Sequence, residues 1–82
     1  MANKKHLRIL REGVEAWNKW RRQYPDIEPD LCGVCLSGIN LKGINLRKAD
    51  LCETKFHRVN LSKANLSETD LSGADLSKPI RA

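Results

Sequence analysis

No stretch of the chain is apolar for the ~20 residues that a membrane-crossing helix needs, and the mean hydropathy is −0.54. The charged amino-terminal end has no secretory apolar region. A soluble cytoplasmic protein with no membrane partner is therefore expected. Cysteine occurs only three times, and an odd count without a signal peptide argues against a disulfide framework. Glycine is sparse and spread out: Gly33, Gly38 and Gly43 fall five apart and build no phosphate loop. No two carboxylates stand out as an acid–base pair, and no serine is set beside a base. These absences exclude the common enzyme classes, and neither catalysis nor a cofactor is expected. Eighty-two residues make one domain.

What is present is a strict period. From Leu31 to Leu76 every fifth residue is leucine, save Phe56. A helix advances a net 140° over five residues, about 100° each, so these leucines would form no stripe. A flat strand would throw successive ones to opposite faces. They share a core only if the backbone turns at each repeat, which is a solenoid. The slots two before each leucine agree: Pro29, Val34, Ile39, Ile44, Ala49, Thr54, Val59, Ala64, Thr69 and Ala74 are apolar or small. Eight of the ten residues just before each leucine are Asp or Asn, which bond locally and favour turns. The two residues after it are Ser, Gly, Lys, Arg, Glu and similar, and read as exposed corners.

Ala49-Asp50-Leu51, Ala64-Asn65-Leu66 and Ala74-Asp75-Leu76 match Ala-(Asp/Asn)-Leu-x-x, and residues 29–78 resemble the pentapeptide-repeat family. The resemblance implies a mainly β fold. It would be a right-handed quadrilateral β-helix of about 2.5 coils, with residues twenty apart stacked at about 4.8 Å. Val34, Ile39, Ile44 and Val59 are bulkier than the family's alanine and are expected to widen the early coils. Lys48 with Glu68, and Lys55 with Asp75, are expected to pair as stacked ions. Asn40 with Asn60, and Asn45 with Asn65, are expected to form side-chain ladders.

Residues 1–28 follow another grammar and precede the solenoid as a helix and linker. Leu7, Leu10, Val14 and Trp17 fall at helical spacing, with Trp20 and Tyr24 extending the face. Asn3 can cap the start, Gly13 sits inside, and Pro25 closes the segment. One reading is a cap that covers the first coil's edge through Leu7, Leu10, Val14, Trp17 and Trp20. The other is a helix that binds a partner. The leader also looks like that of many cyanobacterial family members. Residues 79–82 form a short tail, so the last half-coil is expected to expose Leu71, Ala74, Leu76 and Ile80 and to drive homo-oligomerisation.

Cys32, Cys35, Cys52 and His57 have the residue types of a zinc site. Only Cys32 and Cys52, twenty apart, should share a face, so filled repeat slots are the simpler account and no metal is expected. His6 reads as a solvated side chain. Residues 1–28 carry seven Lys/Arg against four Asp/Glu, and residues 29–78 seven against six. Some family members are acidic rods that imitate DNA and bind topoisomerase; these repeats lack the negative surface. Lys4, Lys5, Arg8 and Arg11, with Lys19, Arg21 and Arg22 behind, make a basic patch. Glu12 and Glu15 among them favour a solvated face over a nucleic-acid surface. The expected function is a non-catalytic scaffold for protein partners the sequence does not name. The alternative is a basic adaptor for nucleic acid or another anionic partner.

Overall fold

The backbone turns where the period places its corners. In the structure, a computed structural model that describes residues 2–76, a left-handed residue recurs every five positions from Gly33 to Gly73. Each is the third residue of a β-turn begun by the leucine or Phe56 two positions earlier, as in Ile44 N–H to Leu41 O (3.1 Å) around Gly43 and Ala49 N–H to Leu46 O (3.0 Å) around Lys48. Glycine takes this conformation freely at Gly33, Gly38, Gly43 and Gly73. Lys48, Glu53, Arg58, Lys63 and Glu68 take it at φ of 55–64°. A neighbouring Asx residue helps to fix seven of the nine corners, those at Gly38 and Arg58 following Cys35 and Lys55 instead. Asp30, Asn40, Asn45, Asp50, Asn60, Asn65 and Asp70 each accept the amide two residues on through Oδ1, at 3.0–3.2 Å. These bonds occupy the Asn side chains expected to form ladders.

Four turns close one coil. Parallel bridges join Asp30 to Asp50, Cys35 to Lys55, Asn40 to Asn60 and Asn45 to Asn65, and continue from Asp50 to Asp70 and Lys55 to Asp75. Every bridge spans twenty residues, so the bulky inner slots leave the register unchanged. The bridges stay isolated, and no longer strand occurs among the described residues. A corner every five residues leaves too little straight backbone between turns for more. The expected mainly β fold is thus a repeat solenoid held by single bridges.

The large groups meet on the axis. Leu31, Leu36, Leu41, Leu46, Leu51 and Phe56 are 0–1% exposed, with Val34, Ile44, Ala49 and Val59 buried beside them. Buried Thr54 donates its hydroxyl to Leu31 O (2.6 Å), so no polar atom there is wasted. The stacked ion pair expected for Lys48 and Glu68 is instead Arg47 with Glu68 (3.0 Å). Lys48 sits at the left-handed corner, which leaves its neighbour to reach the carboxylate.

The amino-terminal segment is two helices, not one: α1 over Lys4–Arg11 and α2 over Val14–Gln23. Gly13, expected inside a single helix, breaks it at φ 114° and begins α2. Asn3 caps α1 by accepting from Lys5 and His6 amides. Leu10, Trp17 and Trp20 are buried, Leu7 and Val14 half-buried, and Tyr24 is exposed at 53%. The break turns α2 away from the single stripe that would have carried Tyr24 inward.

Candidate functional site: the two ends of the solenoid

A coil bonds its predecessor through the residue just before each leucine. Asn65 gives its amide to Ile44 O (2.9 Å) and takes Leu46 N–H on its carbonyl (2.9 Å). Asn45, one coil earlier, has no preceding coil. Its amide goes to Asn18 Oδ1 (2.8 Å), and its carbonyl accepts Trp17 Nε1–H (2.7 Å). Asp30 is met the same way: its amide goes to His6 Nδ1 (3.0 Å), and its carbonyl accepts Asn3 N–H (3.0 Å). Three side chains of α1 and α2, with the backbone amide of the α1 N-cap Asn3, thus imitate a missing coil on two of its four sides. Two further carbonyls of the edge, Gly43 O and Arg47 O, accept from Asn18 Nδ2 (3.1 Å) and Arg21 (2.6 Å).

Two of these residues were read differently in the sequence. His6, expected in solvent, is 9% exposed and packs against Trp20 in a tilted arrangement, with ring centroids 4.9 Å apart. Arg21, assigned to the basic patch, is buried and also donates to Ile27 O (3.3 Å). Its charge is spent on backbone carbonyls. Burial, with Arg47 nearby, lowers its pKa. Periodicity marks apolar faces, so polar groups that serve as backbone mimics carry no comparable signal. Lys4, Lys5, Arg8 and Arg11 remain exposed.

The His6 bond sets a pH dependence. Its Nδ1 is an acceptor here and so carries no proton. Burial holds its pKa below the ordinary 6.5; Asp30 opposes this, while Lys5 and Arg21 reinforce it. The unfolded chain therefore takes up this proton at a higher pH than the folded one. Stability is full about one unit or more above pH 6.5 and falls as pH drops through that unfolded value. The melting temperature should decline between about pH 7.5 and 5.5, and His6→Gln should flatten that profile. An identical slope in the variant would remove His6 as the cause.

The other end has no such cover among the described residues. Leu66, Leu71 and Leu76, with Ala64 and Ala74, are only half-buried, in contrast to the leucines of the first coil. The amides of Leu61, Lys63, Leu66, Glu68, Leu71 and Gly73 have no backbone partner among the described residues. Ile80, the fourth residue expected on this edge, lies outside the described residues.

The cysteines depart from the sequence reading. Cys32 and Cys52 are joined by a disulfide, with Cα atoms 4.7 Å apart. Stacking one coil apart brings them together, a contact that counting cysteines does not reveal. Cys35 is exposed and free on another side. Its contact with the Ser37 hydroxyl (3.5 Å) and the Ser37 amide hold its pKa below the usual thiol value. Of the four residues with zinc-site chemistry, only Cys32 and Cys52 meet, and they do so beside Asp50 rather than Cys35 or His57.

The twenty-residue coil with an inward leucine every five residues decides the family, and residues 39–77 match the family model for pentapeptide repeats in eight copies. The chain is a pentapeptide-repeat protein. Comparison with curated proteins returned no match. Proteins built on pentapeptide repeats generally serve as structural or interaction elements. No helix among this protein's described residues is long and apolar enough to cross a membrane.

Proposed function

We propose that this pentapeptide-repeat protein is a non-catalytic scaffold that pairs with a second copy through its carboxy-terminal coil edge. The solenoid in this reading is a right-handed, four-sided β-helix, and α1 and α2 are the cap that keeps the opposite edge from pairing. The observation that supports it is the asymmetry of the two ends. Backbone groups at Asp30 and Asn45 are bonded by three helix side chains and the Asn3 amide, whereas Leu71, Ala74 and Leu76 are half-buried beside amides that have no backbone partner among the described residues. Such an edge is a template for another chain. The cytoplasmic location expected from the sequence belongs to this reading. The other protein partners of the scaffold are not specified by its surface.

Sedimentation at micromolar concentration should give a dimer or larger assembly. Leu76→Lys should give monomers that still melt cooperatively, because Leu76 is only partly buried against the core, but at a lower temperature than the assembly, which loses the stabilisation its partner supplies. A wild-type monomer at that concentration would overturn the proposal. The exposed Lys4, Lys5, Arg8 and Arg11 favour a second reading, the basic adaptor for an anionic partner. That reading requires a low-salt mobility shift of nucleic acid that fades as salt rises.

A further inference from the structure

We propose that Cys32, Cys52 and Asp50 become a binding site for a thiophilic divalent cation when the disulfide is reduced. The two sulfurs and a carboxylate oxygen of Asp50 all lie within 4.8 Å of one another. Two thiolates on one zinc sit about 3.8 Å apart, given Zn–S bonds of about 2.3 Å in a tetrahedron. The coil spacing sets the two Cα atoms 4.7 Å apart, so the thiolates freed by reduction can reach that separation by side-chain rotation alone.

The backbone holds this arrangement without the disulfide. Asp30 bridges Asp50, Leu31 N–H bonds Asp50 O (2.9 Å), and Gly33 N–H bonds Cys52 O (2.8 Å). One Asp50 oxygen accepts the Cys52 amide (3.1 Å), which fixes the carboxylate and leaves its second oxygen for a ligand. Asp30, whose Oδ1 accepts the Cys32 amide (3.2 Å), adds negative potential to the same side. All three ligand residues are half-buried. A cavity of about 420 Å³, lined by Cys32, Gly33, Val34, Cys35 and Glu53 among others, opens beside Cys32 and gives an ion its entry. Three protein ligands leave a fourth position for water. A reducing compartment keeps such thiols unpaired, so metal and disulfide are alternative fastenings of the same two coils.

The state is reached by two-electron reduction. A phosphine takes the oxygen of a water molecule and becomes a phosphine oxide. The Cys32–Cys52 S–S bond breaks, and each sulfur receives one of the water's protons. The cation then displaces those protons.

The test adds cadmium to the phosphine-reduced, full-length protein and follows the ultraviolet thiolate-to-cadmium charge-transfer band. One equivalent should bind, and folding should be monitored in the same samples by circular dichroism. Asp50→Asn keeps the turn acceptor but removes the charge, and should weaken binding by roughly tenfold or more, the order seen for ligand-supporting groups. Cys35→Ser should leave the band intact, and Cys52→Ser should abolish it. A folded, reduced protein without the band would overturn the site. So would a band that survives Cys52→Ser or vanishes in folded Cys35→Ser.

Discussion

Leu51→Asp should leave no cooperative melting transition at room temperature. Leu51 is fully buried at the axis, in the middle of the leucine column. Its loss removes about 2–3 kcal/mol of burial, and an unpaired carboxylate there costs about 3–5 kcal/mol more. The sum rivals the whole stability of a small domain, about 5–15 kcal/mol. No cation lines the axis to offset the charge, because the slots two before each leucine hold only apolar or small residues. Leu51→Met, which keeps the volume, should cost less than about 1.5 kcal/mol. Leu71→Asp supplies the contrast: Leu71 is half-buried, so a carboxylate there keeps part of its water and the chain should still melt cooperatively. A sharp transition in Leu51→Asp, measured by circular dichroism, would contradict the axial packing.

Trp17→Ala should have the largest effect at the amino-terminal end, about 3–5 kcal/mol from the lost volume alone. Trp17 is fully buried, packs against Trp20 with centroids 5.1 Å apart, and bonds the Asn45 carbonyl. Trp17→Phe separates the two contributions. It keeps most of the apolar bulk and loses the N–H, so about 1 kcal/mol should go with the hydrogen bond. Denaturant midpoints of the three proteins check this order. Equal midpoints for Trp17→Ala and wild type would mean that the helices do not stabilise the coils beneath them. The effect should extend along the solenoid, because each coil is supported only by its neighbours.

Much of the fold could be read from the residues. The leucine period excludes a helix and a flat strand, and the Asp/Asn slot marks the turns that the seven Asx bonds fix. Residues twenty apart do bridge, as a four-repeat coil requires. The amino-terminal helical pattern was legible in its buried face, Leu10, Trp17 and Trp20. It was not legible as two helices, since one glycine inside a periodic segment looks the same whether it is tolerated or breaks the chain direction. Nor was Arg47 as the partner of Glu68, because which corner residue reaches a charge depends on the left-handed φ beside it.

The sequence alone therefore determined the inward set of side chains and the length of a coil, since both follow from one repeating distance along the chain. Only the tertiary structure decided which polar groups close the first edge, and that the stacked Cys32 and Cys52 form a disulfide. His6, Asn18 and Arg21 owe their roles to backbone groups 24, 27 and 26 residues away in sequence, at Asp30, Asn45 and Arg47. A hydrogen bond is short-ranged and directional. Its partners become known only once the coil has brought an amide or a carbonyl within about 3 Å of the side chain that takes it.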